Sequence, residues 1–153
     1  MLLYIIDGFN VIHKVPEVKK STSPQKNLIS YIAHHKLTGS KNNKVVLVFD
    51  GFYAEPLPRE KNFEIIFSRD KDADSLIKYR MQKSKRKSET IAVSDDREIR
   101  DEARKLGVRL LRVGDFLKKR KKRIPQDRKD ISYSLQYEIT EELRRIWLKD
   151  EQS

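Results

Sequence analysis

The chain has 153 residues, 37% of them hydrophobic and 37% charged, enough for one domain with a real core. Lys and Arg number 34 against 23 Asp and Glu, and the resulting charge of +11 favours polyanions: RNA, DNA or an anionic membrane surface. No stretch approaches the roughly 20 apolar residues of a membrane span, the N-terminus lacks the pattern of a secretory signal, and the absence of Cys excludes disulfides, thiolate catalysis and Cys-ligated zinc.

Strand and helix signals alternate along the chain. Residues 2–6 (LLYII) form a short continuous apolar run of the kind buried in parallel sheets. Ser23-Pro24 reads as an N-cap with Pro at the first helical position. Leu28, Ile29, Ile32, Ala33 and Leu37 give that helix its stripe, and Gly39 ends it. Residues 45–49 (VVLVF) are a second strand, followed by a loop with Pro56 and Pro58, and residues 63–67 (FEIIF) are a third. Ala73, Leu76, Ile77 and Met81 predict a second helix. TIAV at 90–93 is the fourth strand, and Ile99, Ala103 and Leu106 mark a third helix closed by Gly107. VRLLRV at 108–113 is the fifth strand, and Gly114-Asp115 opens a short basic helix. This alternation predicts an α/β domain with a mostly parallel sheet. The predicted domain covers 1–117, a basic linker 118–130, and a C-terminal extension 131–153. In that extension Ile131, Tyr133, Leu135, Tyr137 and Ile139 alternate like a strand, and Thr140-Glu141-Glu142 reads as a helix start with Leu143, Ile146 and Trp147 as its apolar face.

Acids stand at the ends of four of these strands: Asp7, Asp50, the trio Asp70, Asp72 and Asp74, and the pair Asp95 and Asp96. In an open α/β sheet, ligands bind outside the carboxyl ends of the strands. Carboxylates gathered there stay ionised only beside a cation, and hard oxygen ligands suit Mg²⁺ or Mn²⁺. Such a pocket in a basic protein predicts metal-assisted hydrolysis of a phosphodiester. Asn10 is near enough to Asp7 to orient a water or phosphate, and Gly8 lets the backbone turn between them. The structural alternative stands beside each acid. A lone Asp after a strand is ordinarily a helix cap or turn former. Asp95-x-x-Glu98 has capping-box spacing, and Asp72 is placed to cap the second helix.

Several other acid-based sites fit less well. A phospho-accepting receiver needs paired acids after its first strand, and a haloacid-dehalogenase site needs Asp-x-Asp where this chain has Phe9. A toprim site needs Glu in place of Asp7. Asp7-Gly8-Phe9-Asn10-Val11-Ile12 instead resembles the opening motif of the YacP-like NYN domains, relatives of the PIN nucleases. Val48-Phe49-Asp50, Phe67-Ser68, Ala73-Asp74-x-x-Ile77 and Val93-Ser94-Asp95 resemble further segments of that family, in the same order over most of residues 1–117. The resemblance implies a three-layer PIN-like fold with helices on both faces of a five-stranded sheet, strand order near 3-2-1-4-5. It implies a divalent-metal endoribonuclease leaving 5′-phosphate and 3′-hydroxyl ends, with Asp7, Asp74 and Asp95 as metal acids. Asn10 would position substrate or water, and Asp50 and Asp96 would be accessory. Asp72 stands where the family often has Thr, and Lys78 where an acid is common.

Two basic clusters, Lys83, Lys85, Arg86 and Lys87, then Lys118, Lys119, Arg120, Lys121, Lys122 and Arg123, are candidates for sequence-independent phosphate contacts. Phe9, Phe52 and Tyr53 lie beside the acidic edge, where an aromatic ring can stack on a splayed base. His13, His34 and His35 lack zinc-ligand spacing and are assigned no chemistry. The expectation is a cytoplasmic, Mg²⁺- or Mn²⁺-dependent endoribonuclease acting on RNA, messenger or ribosome-associated. The rivals are a non-catalytic RNA- or ribosome-binding module on the same fold, and a DNA nuclease of the flap type, for whose helical arch and duplex clamp the chain is short.

Overall fold

The computed structural model describes residues 1–53 and 56–118. Lys119 to Arg123, the rest of the expected linker and the 131–153 extension lie outside the described residues. Five strands form one sheet: β1 (Leu3–Asp7), β2 (Lys44–Phe49), β3 (Phe63–Phe67), β4 (Thr90–Val93) and β5 (Arg109–Leu111). All four pairings are parallel, in the order β3-β2-β1-β4-β5. The helices are α1 (Gly8–His13), α2 (Pro16–Lys19), α3 (Pro24–His34), α4 (Ala73–Lys83) and α5 (Arg97–Leu106). A further helical segment covers residues 113–118.

Alternation along the strands splits the core into two layers, because successive side chains of a strand face opposite ways. Tyr4, Ile6, Val45, Leu47, Phe49, Ile91 and Val93 pack on one face with Val11 and Ile12 of α1, Leu28, Ile29 and Ile32 of α3, and Val113 and Phe116. Ile5, Val46, Val48 and Ala92 pack on the other with Ala73, Ile77 and Met81 of α4 and Ile99 and Ala103 of α5. Both faces are covered, so strands such as β2 read as unbroken apolar runs. The sheet is wholly parallel, and its order matches the expected one.

Three boundaries differ from the sequence reading. α1 and α2 fill the stretch before Ser23, to which the sequence reading assigned no element; both are short, and their buried positions Val11, Ile12 and Val18 are too few to show helical periodicity. α3 stops at His34, with His35 as its C-cap, well before Gly39. His35 is buried, its ring edge-on to Tyr31 at 4.5 Å. β5 ends at Leu111, because the Asp95 carboxylate accepts the Val113 N–H at 3.0 Å and the chain turns into the 113–118 helix. Among the described residues no helix is long and apolar enough to cross a membrane.

In this topology β1 is flanked by β2 on one side and β4 on the other, so the strand order reverses at β1 and β4. The crevice for a ligand opens there, beyond their carboxyl ends.

Candidate metal centre

Asp7 closes β1 and is 4% exposed. It is also the N-cap of α1: one carboxylate oxygen accepts the Asn10 N–H at 3.5 Å, and the other accepts the Ser94 hydroxyl at 3.1 Å. Gly8 is required next to it. A Cβ there would run into the Phe49 ring and come within 2.9 Å of the Val48 carbonyl oxygen. Glycine thus lets α1 leave the sheet directly against β2 and aims Asp7 across the edge.

Ser94 is fully buried and links two acids. Its hydroxyl donates to Asp7 and accepts the Asp96 N–H at 3.0 Å. The Asn10 side-chain oxygen accepts the Asp95 N–H at 2.8 Å. The turn after β4 is therefore tied to β1 by Ser94 and to α1 by Asn10. The Asn10 side-chain oxygen thus holds this turn in place.

The two acids of that turn face different ways. Asp96 is the N-cap of α5, accepting from the Glu98 and Ile99 N–H groups at 2.9 and 3.2 Å. The cap is thus one residue after the Asp95 of the capping-box reading, and with Ile99 at N3 it is a simple N-cap, not a box. Asp95 turns its carboxylate toward Val113 and toward the Arg112 guanidinium, 3.7 Å away.

On the other side of β1, Asp50 accepts the Ser68 hydroxyl and the Ala73 N–H, both at 3.0 Å and both through Oδ1. It anchors the start of α4. Asp72 caps α4 through the Ser75 N–H at 2.7 Å and the Ser75 hydroxyl at 3.1 Å. It is fully exposed, and those bonds hold its carboxyl below the usual range. Asp74, in the first turn of α4, is half-buried.

Ligand oxygens of Asp74, Asp96 and Glu98 lie within 4.8 Å of one another. Burial, and after it the charges of Asp74 and Asp96, push the Asp7 carboxyl up to about 6 despite its hydrogen bonds from Ser94 and Asn10. Asp74 is also raised, first by burial and then by Asp96, Asp72 and Asp50. The charges of Asp74 and Asp96 both act on Asp7, and that of Asp96 acts on Asp74, so the three share one electrostatic pocket. The residues fit a small divalent cation. Two oxygens about 2.1 Å from a common Mg²⁺ lie up to ~4.2 Å apart, so the observed spread closes with small side-chain rotations. The opposing charge already present is Lys78, 3.7 Å from Glu98, which partly offsets the rise at Asp74.

Of the residues expected at the site, Asp74 and Asp96 come together, with Glu98, and Asp7 lies within reach of the charge of both. Asp50, Asp72, Asp95 and Asn10 bond to backbone or hydroxyl groups that shape the edge. Ser94, Ser68 and Glu98 enter as partners that sequence reasoning did not assign. Phe9 is 36% exposed on α1 beside Asp7, its ring 6.4 Å from His13. The basic residues lie elsewhere. Lys83 ends α4, about 14 Å along the helix from Asp74 at roughly 1.5 Å per residue, and Lys85, Arg86 and Lys87 follow it. Lys87 donates to the Gln82 and Ser84 carbonyls, and Arg86 pairs with Glu89 at 3.5 Å. Lys118 lines an open cavity with Leu2, Tyr4 and Arg109.

The family model of the YacP-like NYN domain matches residues 4–152. Among solved structures, the crystal structure of Rae1 (YacP) from Bacillus subtilis is similar at 20% identity with a TM-score of 0.61, covering 100% of this chain and 96% of that one. A point mutant of the same Bacillus protein matches at 16% identity and the same TM-score of 0.61, covering 86% of this chain and 83% of that one. These likenesses are of fold. No curated protein matches the chain.

Proposed function

This chain belongs to the YacP-like NYN domain family, within the PIN-like domains that are generally nucleases, and from that premise we propose that it is a metal-dependent endoribonuclease. The observation that carries the reading is the cluster of Asp74, Asp96 and Glu98, with Asp7 within reach of the charges of Asp74 and Asp96, at the switch point of the sheet. Asp7, Asp74 and Asp96, with Glu98 beside them, would hold Mg²⁺ or Mn²⁺. A divalent ion bound by carboxylates supplies Lewis acidity toward a phosphoryl oxygen and lowers the pKa of a bound water.

The chain's own residues set the geometry. Ser94 fixes Asp7 and Asp96 relative to each other through one hydroxyl. Asp50 holds the start of α4 and so places Asp74. Asn10 holds the turn that carries Asp96. In this reading Asp95, expected among the metal acids, serves instead to end β5 and start the next helix, and Asp72 serves as a cap. Phe9 stands at the rim, where a base of the substrate can lie against it. Lys83, Lys85, Arg86, Lys87 and Lys118, with the run from Lys119 to Arg123 outside the described residues, would contact phosphates away from the cut. The substrate is RNA, messenger or ribosome-associated, and the setting is the cytoplasm.

A second reading, a non-catalytic RNA- or ribosome-binding module, draws on the Lys78–Glu98 pair, which places an ammonium against one of the clustered carboxylates. One assay separates the two. Labelled single-stranded and structured RNAs are incubated with the protein in Mn²⁺, Mg²⁺ or EDTA, alongside Asp74→Asn. The endonuclease reading requires internal cuts with either ion, none in EDTA, and at least a 100-fold slower rate in the variant. Cutting that survives EDTA ends it, and no cutting with either ion favours the binding module.

A further inference from the structure

Tyr79 is 53% exposed on α4, and among the described residues few large hydrophobic side chains are as open. A single exposed aromatic is ordinary on a protein surface. Its surroundings distinguish this one. Ala73, Ile77 and Met81 bury the opposite side of the helix, which leaves Ser75, Tyr79 and Lys83 in a row along the solvent crest at spacings of four. The Lys83 ammonium stands 5.6 Å from the centre of the Tyr79 ring, within cation–π range. The next residues toward the C-terminal end include Lys85 and Arg86. Arg80, beside Tyr79, is held away by a two-pronged bond to Glu64 at 2.9 and 3.0 Å. Toward the N-terminal end, the same helix delivers Asp74 to the acidic pocket.

We infer that the crest of α4 is a binding track for single-stranded RNA, with Tyr79 as a base-stacking platform and Lys83 as the phosphate contact beside it. The inference rests on the proposed RNA substrate and specifies how that substrate lies. Charge selects the partner: an aromatic ring bordered by Lys83, Lys85 and Arg86 suits a polyanion carrying flat apolar groups. Strandedness follows from the ring, since only an unpaired base offers its face. From Asp74 to Lys83 the helix rises about 14 Å, a span of roughly four stacked nucleotides at about 3.4 Å each. The track therefore holds the strand a few nucleotides from the cut.

The test is equilibrium binding of the full chain to a fluorescent 12-nucleotide RNA in EDTA, where no cleavage can complicate the reading, with a duplex of the same sequence for comparison. Tyr79→Ala is expected to weaken single-strand binding by about 5- to 100-fold, to spare duplex binding, and to leave the salt dependence unchanged. Tyr79→Phe keeps the ring and should bind as the parent protein does. Lys83→Gln should lower the salt slope by about one ion. Circular dichroism verifies that α4 persists; Ala is the best helix former, so the position tolerates it. Single-strand binding unchanged in Tyr79→Ala, or a loss equal for single strand and duplex, overturns the track. Because binding is read without metal, failure here leaves the cleavage reading standing, and failure to cleave leaves this result interpretable.

Discussion

Replacing Asp7 by Asn should make the metal-free protein more stable at neutral pH and leave it no better, or worse, in acid. Burial and two neighbouring acids lift the Asp7 carboxyl from 3.8 to about 6 in the folded chain. A carboxyl raised by folding contributes its full stability below the unfolded pKa and loses it as pH climbs through the folded one. At about 1.4 kcal/mol per unit, this shift is worth about 3 kcal/mol between pH 3.8 and 6. Asn keeps the shape and an oxygen for the Asn10 N–H, but it must rearrange the bond with Ser94. That cost does not depend on pH, so it drops out of a difference. Urea unfolding of parent and variant in EDTA at pH 4 and pH 8 therefore gives the number. Moving from pH 4 to pH 8, the parent should lose about 2.4 kcal/mol relative to Asp7→Asn, the remainder being lost already below pH 4 where the unfolded carboxyl ionises. Saturating Mg²⁺ at pH 8 should restore the parent, by about 2.7 kcal/mol at 100 times its Kd, and help the variant far less. A stability difference that stays flat from pH 4 to pH 8, or that moves in the parent's favour, refutes the buried, mutually repelling pocket.

Other outcomes follow from the same geometry. Gly8→Ala forces a methyl against Phe49 and the Val48 carbonyl and should cost about 1–3 kcal/mol in thermal or urea unfolding. Asn10→Ala removes the acceptor of the Asp95 N–H; a stability loss of about 1–3 kcal/mol is expected, with a slower cut at unchanged pH dependence. Asp96→Asn retains a good helix cap, so its unfolding midpoint should hold, while its Mn²⁺ affinity falls at least tenfold by calorimetry. Asp95→Asn should show the reverse balance: Mn²⁺ affinity within about twofold of the parent, and a measurable stability loss as the link to Val113 and Arg112 weakens.

The sheet was legible because its strands are buried on both faces. VVLVF is apolar at every position and TIAV at every position but the buried Thr90, and each lies within a strand of that extent. α3 announced itself through Ser23-Pro24, and α5 through Gly107, which sits at φ 77° past its end. The short helices α1 and α2 were not legible, since a turn or two of helix carries too few apolar positions for periodicity to register. Strand ends told where the acids stand but not which way they face. Asp95 and Asp96 are adjacent, and sequence cannot say which of two neighbours caps the helix and which reaches across to Val113. That choice is made by tertiary contacts: the Ser94 hydroxyl, anchored on Asp7, takes the Asp96 N–H, and the Asn10 oxygen takes the Asp95 N–H. The basic clusters were legible as composition. Their distance from the acids emerged only once α4 was seen to run from one edge of the sheet to the other.

A crystal of the full chain grown with Mn²⁺ and measured at the manganese absorption edge addresses the central claim most directly. The account predicts an anomalous peak with carboxylate oxygens of Asp7, Asp74 and Asp96 around it. A peak lodged elsewhere, or none at these three residues at saturating Mn²⁺, would contradict it.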